Sequence, residues 1–269
     1  MCGIVGRVGP EDGVEELLVG LSNLEYRGYD SAGVATVEEG RPVVRKREGR
    51  LNELTATMNG DLSGTVGIGH TRWSTHGPPS DANAHPHTDC SGEVAVVHNG
   101  IVRNYETLRE DLRARGHEFT SQTDTEVISH LVDEAIATGR DPEAALRHAV
   151  ERLEGSYAVV AVVAGENAVY GTRQGLPLVL GVGDDRYYLA SDVPAFLEFT
   201  EQVIHLSDGE FVAVRPDGIR TTDADGDPVA PAVETVEWSA EDVCKGGYDH
   251  YMRKEIDEQP EALRQSVQG

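Results

Sequence analysis

The 269-residue chain reads as an α+β protein in which two stacked β-sheets are flanked by helices. Two observations predict this class. Short apolar runs punctuated by Gly, Pro, Asn and Asp fill the stretch up to Gly100 and again the stretch from Ser156 onward, and three helical periodicities lie between them. An apolar content of 39% at this length supports one large domain or two modest ones with a full core. No apolar run approaches the about 20 residues that span a bilayer.

The elements follow in order. Gly3–Val8 is an apolar strand stopped by Gly9-Pro10, and Glu11–Leu24 has helical spacing through Val14, Leu17, Leu18 and Leu21. Ser31–Val37 and Arg41–Arg47 pair around a Glu39-Gly40 turn, and Leu51–Met58 forms a short helix. Thr65–Thr71 is a strand, Trp73–Gly92 a long loop of the kind that often serves as a lid, and Glu93–His98 another strand. Asn104 is placed to cap Tyr105–Arg115. Thr123-x-x-Glu126 has the form of a capping box for a helix through Ala137. Asp141-Pro142 opens a third helix with cap and first-turn proline in the favoured order. Strands then cover Tyr157–Ala164, Ala168–Thr172, Leu178–Gly181, Tyr187–Ala190, Val203–Leu206 and Phe211–Arg215. Thr222–Pro228 is an acidic turn, and Ile256–Val267 a helix interrupted near Pro260.

Charge and cysteine usage narrow the function. Asp and Glu number 47 against 23 Lys and Arg, giving a net charge of −24, and the only lysines are Lys46, Lys245 and Lys254. Such a surface repels phosphate backbones and anionic membranes, so neither nucleic acid nor membrane is an expected partner. An even spread of acids with few lysines suits a halophilic, salt-screened setting. Three cysteines, Cys2, Cys90 and Cys244, make no disulfide framework. With no secretory signal at the N-terminus, a reducing cytoplasmic location is expected.

Several side chains carry candidate chemistry. Removal of Met1 would leave Cys2 with a thiol and a free α-amine on one residue, a nucleophile with its own base; a buried first-strand cysteine is the plainer alternative. Arg72, at a strand end, has the fork geometry to hold a carboxylate. Trp73 offers a flat covering surface, and Thr75 and His76 offer hydrogen-bonding groups. Asn99-Gly100 is either a hairpin turn or a pair of donors for a developing oxyanion, from the Asn99 amide and the Gly100 backbone N–H. Asp124 either complements a helix dipole or pairs with a substrate ammonium. His70, His76, His85, His87 and His98 raise a metallohydrolase as a rival, but HExxH and paired CxxC spacings are missing and Pro86 separates His85 from His87. No metal and no cofactor is therefore expected.

Cys2-Gly3-Ile4-Val5-Gly6, Leu24 to Gly33, His70 to Gly77, Asn83 to His87, His98-Asn99-Gly100 and Thr123 to Glu126 occur in one order that closely resembles the class II glutamine amidotransferases. Tyr26-Arg27-Gly28-Tyr29-Asp30 resembles the branch that makes glucosamine 6-phosphate more than the amidophosphoribosyltransferase branch. The resemblance runs to about Gln259 and includes Tyr248 to Met252 and Lys254 to Ile256. It implies the N-terminal-nucleophile hydrolase fold, a four-layer αββα sandwich. It also implies hydrolysis of L-glutamine to glutamate and ammonia through a Cys2 thioester, with Asn99 and Gly100 as the oxyanion donors. On the same resemblance Arg72 binds the substrate carboxylate and Asp124 its ammonium, while Thr75, His76 and Gly77 line the pocket. Trp73 belongs to a lid, Arg27 and Gly28 shape the floor beside Cys2, and His85 orders a loop. Residues 1–245 would be the glutaminase domain, and 246–269 a C-terminal helix and the start of a linker. Family members continue into sugar-isomerase domains that bind fructose 6-phosphate and through which a homodimer would form. A different ammonia acceptor, or a subunit that senses glutamine without turnover, are the alternatives.

Overall fold

The computed structural model describes residues 2–58, 60, 62–237 and positions 253, 256, 257, 259 and 260. In chain order the strands and helices begin β1 (Gly3–Val8), α1 (Val14–Asn23), β2 (Ser31–Glu38), β3 (Arg41–Glu48), α2 (Leu51–Thr57) and β4 (Val66–Arg72). The middle holds β5 (His87–Thr88), β6 (Val94–Gly100), α3 (Tyr105–Ala114), α4 (Glu126–Ala137) and α5 (Pro142–Val150). Strands complete it: β7 (Tyr157–Val163), β8 (Val169–Gln174), β9 (Val179–Val182), β10 (Tyr187–Ala190), β11 (Gln202–His205), β12 (Phe211–Arg215), β13 (Gly218–Thr222), β14 (Pro228–Val229) and β15 (Glu234–Thr235). Short 3₁₀ turns cover Glu25–Arg27 and Val193–Ala195.

The strands form an eight-stranded sheet, β15-β11-β9-β10-β1-β4-β2-β3, and a seven-stranded sheet, β14-β13-β12-β8-β7-β6-β5. Neighbours within each are antiparallel. Alternation of side chains assigns the layers. Ile4 points into the core between the sheets while Val5 packs outward with Leu17 and Leu21 of α1. Ala158, Val160 and Val162 face inward, whereas Val159, Ala161 and Val163 meet Val127, Ile128 and Leu131 of α4 and Leu146 of α5. Both faces of the central strands are thus buried, which explains why antiparallel strands here read as unbroken apolar runs.

The expected elements are present, with ends shifted by a few residues, and β5, β13, β14 and β15 are additional strands among the described residues. Two capping expectations are corrected. Thr123 does not cap α4: Thr125 is the residue before the first turn, and Glu126 instead accepts from the amides and hydroxyls of Thr120 and Ser121. Asn104 likewise ties to Arg152 and Glu154 rather than to its own helix. Asp141 caps α5 as expected, accepting from Ala144 N at 2.9 Å, with Pro142 in the first turn. Tyr248 to Met252, Lys254, Glu255, Cys244 and most of the expected C-terminal helix lie outside the described residues.

Candidate active site

The first sheet delivers Cys2 at the start of β1 and Arg72 at the end of β4, which lie side by side because Gly3 pairs with Thr71. The Trp73 amide donates to Cys2 Sγ at 3.2 Å. Burial pushes the Cys2 thiol up; the Trp73 hydrogen bond, the chain's positive terminus and Arg72 pull it back, and Asp124 pushes it up again. The Cys2 carbonyl is held by Arg27 Nε at 3.1 Å and Asn99 Nδ2 at 2.9 Å. Arg27 is itself anchored by Asp192, with Nη1 2.6 Å from Oδ2. Gly28 packs directly on the Arg72–Trp73 backbone, where a Cβ would overlap the peptide that binds Sγ.

The second sheet brings up Asn99 and Gly100 at the end of β6. They are not a hairpin turn, since Asn99 pairs with Ala158 and Gly100 with Tyr157 across β7. Gly100 has φ +131°, and a side chain there would strike the Ser156 carbonyl, so only glycine fits. His70 Nε2 lies 3.1 Å from Asn99 Oδ1 and 3.2 Å from the His98 carbonyl. Both partners are acceptors, so Nε2 carries the hydrogen. Burial pushes His70 down to about 3, keeping the ring neutral. This contact fixes which way the Asn99 carboxamide faces: Oδ1 to His70, Nδ2 to Cys2. One Nδ2 hydrogen serves the Cys2 carbonyl and the second remains for a reacting oxygen.

A cavity of about 580 Å³ opens above these groups. Cys2, Arg27, Trp73, Thr75, Asn99 and Gly100 line it, together with Ile101, Arg103, Gly155, Ser156, Leu176 and Pro177. Trp73 is 45% exposed and meets Tyr29 edge-on at 5.5 Å. Arg72, His76, Gly77 and Asp124 are not among the cavity's lining residues. Arg72 is buried, its Nη2 donating to the carbonyls of His76 and Gly77, while its Nη1 is buried with no hydrogen-bond partner. Burial lowers the Arg72 pKa, opposed by the charges of Cys2, Asp124 and Asp30. Asp124 Oδ2 accepts from Val102 N at 2.8 Å, and its Oδ1 lies 3.9 Å from His76 Nδ1. An unspent guanidinium hydrogen and a carboxylate oxygen are the complement of an amino acid's charged end.

His85 sits below the cavity floor, its ring 4.1 Å from that of His70 and its Nε2 2.8 Å from Thr125 Oγ1. Thr125 Oγ1 also meets His98 Nδ1 at 2.9 Å, and Thr123 Oγ1 meets His87 Nε2 at 3.0 Å. The threonines on either side of Asp124 are thereby clamped. Sequence reasoning missed His70, Thr123 and Thr125 as positioning residues. Their signal was present only as a cluster of histidines whose hydroxyl and amide partners are remote in the chain.

The glutamine amidotransferase domain family matches residues 70–198. The glutamine–fructose-6-phosphate aminotransferase (isomerizing) of Symbiobacterium thermophilum is 50% identical over 271 residues, spanning 100% of this chain and 44% of that protein. The enzyme of the same name from Pyrococcus horikoshii is 45% identical over 272 residues, spanning 100% of this chain and 46% of its own length. The chain thus carries a class II glutamine amidotransferase domain. It spans less than half the length of these curated relatives. Among solved structures, the glutamine phosphoribosylpyrophosphate amidotransferase from B. subtilis superposes with a TM-score of 0.72 at 25% identity, covering 83% of this chain and 49% of that one. The two sheets and their outer helices are accordingly the amidotransferase form of the N-terminal-nucleophile hydrolase sandwich. No helix among the described residues is long and apolar enough to cross a membrane.

Proposed function

We propose that this amidotransferase domain hydrolyses L-glutamine with Cys2 as nucleophile, once Met1 is removed. The observation that carries the reading is the meeting, at one cavity, of Cys2 and the oriented Asn99 amide, with Arg72, its Nη1 unpartnered, brought next to Cys2 by the β1–β4 pairing. Arg72 takes the substrate α-carboxylate and Asp124 its ammonium, which points the side-chain amide at Cys2. His76 and Gly77 shape that end of the site, Thr75 the wall and Trp73 the cover, while Arg27 and Gly28 hold the floor and His85 orders the layer below.

The Cys2 thiolate adds to the amide carbon, and the oxygen's new charge is met by Asn99 Nδ2 and Gly100 N–H. A donor of this kind contributes about 3 kcal/mol to the barrier. The freed α-amine of Cys2, having taken up the thiol proton, passes it to the leaving nitrogen as the C–N bond breaks, so that ammonia departs. Water, deprotonated by the same amine, cleaves the γ-glutamyl thioester to glutamate and restores the thiol. Covering of the site by Trp73 limits competing access of bulk water.

The chain's relatives support a further step. Their name and their greater length point to a fused sugar-isomerase region that receives the ammonia and converts fructose 6-phosphate to glucosamine 6-phosphate. We assign residues 1–245 to the glutaminase domain and 246–269 to the link toward that region, through which dimerisation would occur. The net charge of −24 and the scarcity of lysine support a salt-rich cytoplasm as the setting. A diazoketone analogue of glutamine tests the core of the reading. It should label the Met1-free chain once, at Cys2, with loss of glutamate release, and Cys2→Ala should neither label nor turn over. Label on another residue, or turnover by Cys2→Ala, would remove the assignment.

A further inference from the structure

Cys90, His117 and His130 come from three separate segments and take no part in the glutamine site. Cys90 follows β5 at the edge of the second sheet, His117 lies in the connection between α3 and α4, and His130 is in α4. One ligand atom from each lies within 4.8 Å of the other two. His117 Nδ1 and His130 Nδ1 are 3.1 Å apart, and Cys90 Sγ is 3.8 Å from His130 Nδ1. A tetrahedral zinc ion with Zn–N of about 2.0–2.1 Å and Zn–S of about 2.3 Å sets its ligand atoms about 3.3–3.6 Å apart. Two edges of the triangle thus lie within a few tenths of an ångström of those of such a tetrahedron, and the third, between Cys90 and His117, is no longer than 4.8 Å.

The surroundings fit a cation. His117 Nε2 faces Glu134 Oε1 at 3.1 Å. The carboxylate takes the Nε2 hydrogen and leaves the lone pair on Nδ1, which is the arrangement that orients a metal-bound histidine. The Glu118 amide donates to Cys90 Sγ at 3.3 Å, and Sγ lies 3.7 Å from the Glu118 carbonyl. The other Glu134 oxygen, Oε2, pairs with Arg115 Nη1 at 2.5 Å, which holds the carboxylate in place. An imidazole–imidazole hydrogen bond accounts for the contact between the two nitrogens. It does not account for a sulfur from a third segment converging on the same point.

We infer that Cys90, His117 and His130 form a binding site for a thiophilic divalent transition metal, with Zn²⁺ the ion their donor set suits best. Cys90 is exposed, so the fourth position faces solvent and takes a water. The ion would tie β5, the α3–α4 connection and α4 together, and the same connection carries Asp124 to the glutamine site.

The test is titration of the full chain with Co²⁺ alone, followed by optical spectroscopy. Cys2 with its freed amine also chelates metals, so the comparison is made in a Cys2→Ala background. That chain should bind one Co²⁺, with the strong visible bands of tetrahedral cobalt and a thiolate charge-transfer band in the near ultraviolet. Adding Cys90→Ser should abolish the charge-transfer band, and Glu134→Gln should weaken binding by about 10–100-fold. Zn²⁺ should raise Tm in the Cys2→Ala chain and leave the Cys90→Ser derivative unmoved. Absence of tetrahedral cobalt binding in the Cys2→Ala chain, or a charge-transfer band unchanged by Cys90→Ser, would overturn the inference.

Discussion

The chain holds two groups of histidines that differ in what their ring nitrogens meet. His70, His85, His87 and His98 are buried beneath the glutamine cavity, where they meet oxygens: the Asn99 carboxamide, the Thr125 hydroxyl twice and the Thr123 hydroxyl. Burial pushes all four below their usual range, so they work as neutral imidazoles. His117 and His130 lie at the sheet edge and meet each other and a sulfur. The same side chain is thus a rigid hydrogen-bonding spacer in one place and a convergent set of lone pairs in the other. Only the identity and direction of the partners separate the two uses.

The largest expected effect falls on the group that the inner cluster positions. Asn99→Ala should lower kcat about 10²–10³-fold with little change in KM, measured as glutamate release. A pure KM effect would show that Asn99 binds substrate and does not stabilise charge. Replacing the spacer itself should do less. His70→Leu removes the donor that orients Asn99 and should cost about tenfold in kcat, while His70→Gln, which keeps an N–H, should recover part of it. Equal kcat for the two variants would show that His70 only fills space.

The sequence made much of this legible, for reasons that can be named. The layers follow from alternation in runs such as Tyr157–Val163, whose two faces pack on different cores. Cys2, Arg72 and Asn99 each begin or end an apolar strand, but a buried cysteine and a hairpin turn stayed open until the order of the motifs was set beside the family they resemble. The Thr123-x-x-Glu126 spacing misled because the segment's hydrogen bonds go to His87 and to Thr120 and Ser121, partners that local spacing cannot show. The histidine-rich loop raised a metallohydrolase as a rival, and the partners of its rings are likewise invisible to local spacing. His85 and His87 are taken by Thr125 and Thr123, whereas Cys90 finds its companions 27 and 40 residues further on, at His117 and His130.

Acid should expose a smaller, global consequence of the neutral histidines. His70 is held at about 3 and His130 at about 4 by burial, both below the unfolded value of about 6.5. The unfolded chain therefore binds more protons than the folded one between those limits. Stability is fully present above about pH 6.5 and is lost as pH falls, by about 1.4 kcal/mol per pH unit for each such imidazole. Denaturant midpoints measured from pH 7 to pH 4 in constant salt should fall steadily. A midpoint that holds level to pH 4 would mean that these rings are charged in the folded state.

The central claim is that the α-amine and the thiol of Cys2 act together at this site. Glutamate release by the chain with Met1 removed, set against the same chain with Met1 retained, tests it most directly once intact mass has verified each form. The processed chain should turn over L-glutamine and the unprocessed chain should not, although both fold alike. Equal turnover by the two forms would contradict the account, because an amine locked in a peptide bond cannot exchange the protons that the reaction requires.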